Sequence, residues 1–161
     1  MKKYVLPIAT VVLLLVGVAI LTVALLTNNN EYVKDITLKG NDVTRESLEF
    51  SAGGLKPGDV KEYTINLKGK SAGNYTLNFD FVEMDDGALK NYVDVALQYG
   101  GKSYTYKLSE LLDGKTVSFN CRVGVSNATV IKVIYSMPLS AGNEAQKATC
   151  DFRVNLTAEK F

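Results

Sequence analysis

The side chains that carry out most enzymatic chemistry are scarce in this sequence of 161 residues. It contains no histidine, so the commonest general base and the commonest metal ligand are both missing. Ser126 lies in the segment GVSNA, which lacks the second glycine of a serine-hydrolase nucleophile elbow. We therefore expect a protein with no enzymatic activity, no cofactor and no metal site.

One acidic group stands out because it precedes a glycine. Asp80, Glu83, Asp85 and Asp86 lie before Gly87, and their carboxylates have the oxygen chemistry that Ca²⁺ prefers. Their spacing departs from the calcium-loop pattern, in which the oxygen ligands alternate with other residues ahead of the glycine. A solvated strand end followed by a turn is the favoured interpretation.

The only two cysteines, Cys121 and Cys150, each lie on the apolar side of an alternating segment. In an oxidising compartment such a pair predicts a disulfide bond. Closing a loop of about 30 residues contributes roughly 3–4 kcal/mol in the chain-entropy model. The alternative is a pair of buried free thiols that pack as small hydrophobic side chains. The N-terminal segment predicts an extracytoplasmic location, and this favours the disulfide bond.

Four tyrosines fall close together in one stretch of the chain: Tyr92, Tyr99, Tyr104 and Tyr106. Their rings suit a stacking platform for a sugar or an extended peptide. Tyrosine is also common in β-strands, where its ring packs against cross-strand neighbours. The structural interpretation is favoured. A ligand-binding ectodomain for carbohydrate or peptide is the alternative function.

These residues follow an N-terminal segment that is apolar without a break from Val5 to Leu26. Its 22 residues span about 33 Å as a helix, close to the ~30 Å hydrocarbon core of a bilayer. Lys2 and Lys3 before it predict a cytoplasmic N-terminus, with the remainder of the chain outside. The length favours a retained transmembrane anchor over a cleaved signal peptide, although Thr22–Ala24 fits a cleavage site.

The sequence therefore divides into a membrane segment, residues 1–30, and one extracytoplasmic domain, residues 31–161. About 130 residues suffice for a single hydrophobic core. Without Lys2 and Lys3 the chain has 16 basic and 17 acidic residues, a balance that gives no reason to expect nucleic acid as a partner. The predicted location is the cell membrane, with the domain outside, or the exterior if the leader is cleaved.

Apolar and polar residues in the domain alternate with a period of two, which is typical of strands with one buried and one solvent-exposed face. About nine short strands separated by turns predict an antiparallel β-sandwich of the jelly-roll type. The only helical candidates are single turns near Gly87–Lys90 and Ser109–Leu112. The predicted strands are Val33–Lys39, Ser47–Phe50, Val60–Lys68, Tyr75–Phe81, Tyr92–Tyr99, Lys102–Leu108, Val117–Val123, Ile131–Tyr135 and Cys150–Leu156.

One hairpin register follows directly from the sequence, because Gly100 and Gly101 form a two-residue loop. Such a loop pairs Tyr99 with Lys102. Apolar pairs that share one face are what a correct register requires. Continued along both strands, this register forms three such pairs: Leu97 with Tyr104, Val95 with Tyr106, and Val93 with Leu108.

Several short motifs resemble the TasA/camelysin family of exported Gram-positive surface and matrix proteins. That family combines a leader, an LKPGD turn that opens a strand, a middle LLDGK segment and a last strand with a threonine–alanine ending. Leu55–Asp59 matches the turn, Leu111–Lys115 the middle segment and Asn155–Ala158 the ending. The resemblance implies a jelly roll that serves as a structural or interaction protein of the cell surface or matrix. Camelysin has been regarded as a metalloprotease, and the histidine-free sequence gives no reason to carry that activity over.

The resemblance also implies assembly by donation of an N-terminal strand to the next subunit. Residues 31–40 have a strand-like pattern that sets Tyr32, Ile36 and Leu38 on one side. We expect this strand to pair within its own domain while the anchor is retained. The predicted partners are the membrane, through residues 5–26, and other copies of the chain or other surface proteins.

Overall fold

In the computed structural model, residues 32–161 are described except for positions 86, 143, 146 and 147. They fold into two β-sheets that pack face to face around one hydrophobic core. The predicted membrane segment, residues 5–26, lies outside the described residues, as does the predicted cleavage site. In the part of the chain that is described, no helix has the length and apolar composition needed to cross a membrane.

The described residues include nine strands and two short helical turns that the sequence predicted. The strands are β1 (Tyr32–Leu38), β2 (Thr44–Ser51), β3 (Val60–Gly69), β4 (Gly73–Glu83), β5 (Asp94–Tyr99), β6 (Lys102–Lys107), β7 (Val117–Val123), β8 (Thr129–Ser136) and β9 (Asp151–Lys160). The helical turns are a 3₁₀ turn at Ala88–Asn91 and the helix α1 at Leu108–Leu112. An all-β sandwich is therefore confirmed, and both helical candidates from the sequence are present.

The first sheet has the strand order β1-β3-β8-β5-β6, and the second has the order β2-β9-β4-β7. The described pairings are antiparallel except that of β1 with β3, which is parallel. This corrects the expectation of an entirely antiparallel sandwich. The chain crosses to the second sheet for β2 and then returns, so β1 and β3 enter the first sheet in the same direction.

Alternation of apolar and polar residues gives each sheet one inward face. In β4, for example, Tyr75, Leu77, Phe79 and Phe81 are buried, while the residues between them are more exposed. Burial of one such side chain stabilises the fold by roughly 1.5–3 kcal/mol. Because both sheets supply an inward face of this kind, the core lies between them.

The two ends of the sandwich differ in the length of their connections. At one end, here called the short-loop end, the connections are residues 39–43, 70–72, 100–101 and 124–128. At the other, the long-loop end, they are residues 52–59, 84–93, 108–116 and 137–150. Strand β1 begins at the long-loop end, because its first residue, Tyr32, pairs with Tyr63 near the start of β3.

The β5–β6 hairpin has the register predicted from the sequence. Tyr99 pairs with Lys102 across a loop in which Gly100 and Gly101 have φ angles of 56° and 78°. Those positive angles are the reason that both loop residues are glycine. The predicted pairs Leu97–Tyr104 and Val95–Tyr106 are confirmed. Strand β5 begins two residues later than predicted and β6 ends one residue earlier, so Val93 and Leu108 lie outside the strands. The Leu108 backbone N–H nevertheless donates to the Val93 carbonyl at 2.9 Å.

Candidate functional site

Strand β1 forms an edge of the first sheet. Ile36 and Leu38 of β1 are 3% and 0% exposed, whereas Tyr32 and Val33 are 49% and 58% exposed. The side shared by Tyr32, Ile36 and Leu38 is therefore the inward side, as the sequence pattern indicated. The second half of β1 is held in the core, and its first half lies at the surface.

An aromatic stack closes the sandwich beside β1. The ring of Tyr32 stacks on Tyr63 of β3, and Tyr63 packs in turn against Phe50 of β2 at 4.3 Å between ring centroids. Burial, and secondarily the neighbouring Tyr32, raise the pKa of Tyr63 above its ordinary value. Sequence reasoning did not single out Tyr63 or Phe50. The sequence did contain a signal for Tyr63, because it lies two residues before the buried Ile65 and therefore on the same side of β3.

Next to this stack, the edge strands β1 and β2 leave an open groove of about 420 Å³. Edge strands carry backbone N–H and C=O groups that no neighbouring strand satisfies. A groove between two such edges can receive an extended segment through main-chain hydrogen bonds. The lining residues are Tyr32, Val33, Lys34, Ser47, Leu48, Glu49 and Tyr63.

The four clustered tyrosines pack against the core. Tyr92, Tyr99, Tyr104 and Tyr106 are all partly buried, and none has its ring displayed on an outer face of the sheet. Two of them stack on Phe119 of β7, with ring centroids 5.5 Å away for Tyr99 and 5.9 Å away for Tyr104. These rings join the two sheets, which is the structural role weighed against a binding platform above.

A second groove, of about 360 Å³, lies between the hairpin and the edge strand β7. The rings of Tyr99, Tyr104 and Phe119 contribute to its wall, and hydroxyl, amide and amino groups surround them. Such a mixture is suited to a polar ligand that has some apolar surface, as a sugar does. The lining residues are Tyr99, Gly100, Lys102, Tyr104, Ser118, Phe119 and Asn120.

The two cysteines are free and buried, so the predicted disulfide is absent from the structure. Cys121 pairs with Tyr75, which pairs on its other side with Lys160 at the end of β9. Cys150 precedes the start of β9, so about 30 Å separates the two along the strand at ~3.3 Å per residue. A disulfide needs Cα atoms about 4.4–6.8 Å apart. Burial raises the pKa of each thiol to about 11.

The acidic group before Gly87 has structural partners. The Asp85 carboxylate accepts a hydrogen bond from the Asp151 backbone N–H at 2.6 Å, and Glu83 forms an ion pair with Lys90 at 2.7 Å. These contacts fasten the start of β9 and the 3₁₀ turn to the end of β4. Among the residues that the structure describes, no three Cys, Asp or Glu side chains are grouped closely enough to hold a metal ion.

No protein-family model matches this chain, and no curated protein matches it. Among solved structures it is similar to the full extracellular region of zebrafish Gpr126/Adgrg6, with a TM-score of 0.40, 14% identity and 79% of this chain covered. This chain spans 15% of the length of that protein.

Two other solved structures are similar to this chain at low identity. One is the pre-peptidase C-terminal domain of collagenase from Bacillus anthracis, with a TM-score of 0.35, 12% identity, and 80% and 98% of the two chains covered. The other is PliG of Aeromonas hydrophila, a periplasmic inhibitor of g-type lysozyme, with a TM-score of 0.38, 7% identity, and 80% and 99% covered. At these scores the likenesses carry no argument about what this chain does.

Proposed function

We propose that this chain is a non-enzymatic structural or interaction protein of the cell surface or matrix. In this proposal residues 5–26 anchor it in the membrane and the sandwich lies outside the cell. The observation that carries the proposal is the position of β1, the strand that follows the N-terminal segment. Strand β1 is itself part of the sandwich, with Ile36 and Leu38 in the core. The proposed anchor would therefore be joined to the domain through a strand of its first sheet.

The fold supports the family resemblance drawn from the LKPGD turn and the other motifs. We infer a jelly roll, in which β2-β9-β4-β7 and β3-β8-β5-β6 are the two four-stranded sheets. Strand β1 is then an addition to the edge of one of them. The absence of histidine from the sequence supports a role without catalysis.

Labelling of intact cells tests the proposed location. Cells that express the full chain are treated with a membrane-impermeant amine reagent, and the labelled lysines are identified by mass spectrometry. Lysines of the sandwich such as Lys68 and Lys102, which are exposed, should be labelled before lysis. N-terminal sequencing of the same protein then distinguishes the anchored form from the cleaved one. Labelling that requires lysis would contradict an extracellular domain.

Strand donation is the proposed route to assembly once the chain is released from its anchor. In the structure β1 pairs within its own sheet. The open groove beside it, lined by both edge strands, supports exchange with the corresponding strand of a neighbour. Such head-to-tail pairing does not close on itself, so it leads to filaments. We propose that the anchored protein stays monomeric and that only the released form polymerises.

The released form can be tested directly with residues 25–161, by light scattering and electron microscopy of concentrated protein. Filaments are expected from this chain. The double variant Ile36→Asp/Leu38→Asp should abolish them, while Thr37→Asp, on the outward side of β1 and outside the groove lining, should leave them intact. Circular dichroism establishes that each variant is folded. A wild-type chain that stays monomeric would exclude strand donation and leave the anchored surface protein as the proposal.

A ligand-binding ectodomain is the second candidate, and the groove beside Phe119 favours it. If the groove binds a sugar, a glycan array should identify ligands whose binding is lost in Asn120→Ala. Asn120 is exposed and its amide oxygen accepts a hydrogen bond from the Thr76 hydroxyl, so its loss should leave the fold intact. No glycan bound by the wild-type domain would exclude a sugar as the ligand of this groove.

A further inference from the structure

The two ends of the sandwich carry opposite charge, although the domain as a whole is close to neutral. At the short-loop end, the loops, the two strand residues on either side of each loop and the last two residues of β9 contain seven basic side chains and two acidic ones, Asp42 and Glu159. The described residues of the long-loop end, selected in the same way, include eight acidic and five basic side chains. The seven basic residues, here called the basic rim, are Lys39, Arg45, Lys68, Lys70, Lys102, Arg122 and Lys160.

The basic rim is not neutralised by the chain itself. In the described structure none of its seven side chains forms an ion pair, and six of them are exposed. The seventh, Lys160, is half-buried and donates from Nζ to the Ser71 hydroxyl at 3.0 Å. The rim therefore presents charge to solvent.

At the long-loop end, by contrast, acidic residues are matched with nearby basic ones. Glu83 pairs with Lys90 at 2.7 Å and Asp94 pairs with Lys107 at 2.6 Å. Glu110 pairs more loosely with Lys115, at 3.6 Å. Three of the eight acidic side chains at this end are therefore already paired with a lysine of the same chain.

The strand order brings the rim residues together from separate parts of the sequence. Lys39 and Lys68 lie at the ends of the neighbouring strands β1 and β3, and Lys102 opens β6 at the far edge. Arg45 and Arg122 lie on the second sheet. With strands ~4.8 Å apart, five strands span about 20 Å. Charges at that spacing lie within one or two screening lengths of about 8–10 Å, so their potentials add.

We propose that the basic rim binds a linear polyanion of the cell envelope, one that carries phosphate groups repeated along its length. The inference rests on the proposed extracellular location for the source of the polymer. Five of the seven residues are lysine, a compact point charge that attracts phosphate without requiring one geometry. A ring of separated charges suits a flexible chain that touches several of them at once.

A second copy of this chain is a poorer partner for the rim. Its oppositely charged surface would be the long-loop end, where Glu83 and Asp94 already have lysine partners. For these residues, pairing with the rim would require the existing ion pairs to be exchanged, with little net gain in electrostatic energy. A polyanion has no such internal partners, and it releases condensed counterions when it binds.

The test measures binding of long-chain inorganic polyphosphate to the full chain in a neutral detergent. Affinity should fall roughly 10–100-fold between about 50 and 200 mM NaCl, as expected when about four phosphates are contacted. The quadruple variant Lys39→Gln/Lys68→Gln/Lys102→Gln/Arg122→Gln should lose at least 10-fold in affinity at the lower salt concentration. All four side chains are exposed, so the fold should be retained.

The matched control removes four positive charges from the other end: Lys56→Gln/Lys61→Gln/Lys107→Gln/Lys115→Gln. It has the same net charge as the rim variant and should bind polyphosphate like the wild type. Equal losses in both variants, or no binding by the wild type, would overturn the proposal. Single-stranded DNA that binds more than 10-fold tighter than polyphosphate would assign the rim to nucleic acid. Self-association that requires the rim would assign it to a second copy. The cell-labelling experiment tests the extracellular location separately, and its result does not depend on whether the rim binds polyphosphate.

Discussion

The ring of Tyr32 lies parallel to the ring of Tyr63, with 4.7 Å between centroids and 11° between the ring planes. The two residues are also direct partners in the parallel register of β1 and β3. The first residue of the sandwich is thus held both by its backbone position and by its side chain. Beyond it, Val33 to Asp35 have exposed side chains, and the buried contacts resume at Ile36.

Replacement of Tyr32 by alanine should loosen only the first half of β1. An aromatic pair contributes roughly 0.5–1.5 kcal/mol beyond the area it buries, and Tyr32 is half exposed, so a loss of about 1 kcal/mol is expected. Hydrogen exchange should accelerate at Val33–Asp35 and stay slow at Leu38. Val33→Ala, on the outward side, is the control. Equal acceleration along the whole strand would show that the stack holds β1 as one unit.

Replacement of Leu97 by alanine should cost roughly 2–5 kcal/mol, because the side chain is fully buried and leaves a cavity. Thr105→Ala, at an exposed position on the partner strand, should change the free energy of unfolding by about 0.5 kcal/mol or less. Urea unfolding measures both. Similar losses at the two positions would contradict the inward face assigned to Leu97 and Tyr104.

Replacement of Gly87 by alanine should destabilise the domain by about 1–3 kcal/mol or more, because a Cβ atom there would overlap the carbonyl oxygen of Thr149. This is a backbone contact, so no side chain can move aside. Gly53→Ala provides a control, since its Cβ would meet side-chain atoms at ordinary contact distances, the Ser51 hydroxyl at 3.4 Å and Thr149 Cγ2 at 3.9 Å. Thermal unfolding of both variants tests the prediction, and an unchanged Gly87→Ala melting temperature would refute the close approach.

The buried thiols should make the domain less stable in alkali. In the folded chain Cys121 and Cys150 keep their protons up to about pH 11, whereas in the unfolded chain they lose them near the ordinary thiol value of about 8.5. Between these values the unfolded state binds fewer protons, so the free energy of unfolding falls as pH rises. Urea unfolding at several pH values should show a shallower fall in Cys121→Ala/Cys150→Ala. An unchanged slope would contradict the burial of both thiols.

The sequence was sufficient for the features that depend on near neighbours. The Gly100–Gly101 loop fixed the hairpin register, and the period of two identified the buried side of β1 and β7. The sequence could not predict the distance between Cys121 and Cys150. Alternation tells which side of a sheet a residue faces, whereas its position along the sheet depends on the register between strands that are distant in sequence.

Two further features, the parallel pairing of β1 and the basic rim, could not be predicted either. Both depend on how strands that are distant in sequence are arranged. Nothing in residues 32–38 encodes β3 as the neighbour, because the choice follows from two crossings between the sheets. The near-neutral composition averages over two ends of opposite charge. Lys39, Lys102 and Arg122 are far apart in sequence, and only the strand order shows that they share one end.

Because β1 and β3 are parallel, the force that the domain withstands depends on the direction in which it is pulled. Seven residue pairs join the two strands, from Tyr32–Tyr63 to Leu38–Gly69. The chain enters β1 at the long-loop end, and the basic rim lies at the opposite end. Tension between Tyr32 and the rim therefore runs along the strands and loads the β1–β3 hydrogen bonds together in shear. Tension across the sheet would instead peel β1 away bond by bond, at much lower force.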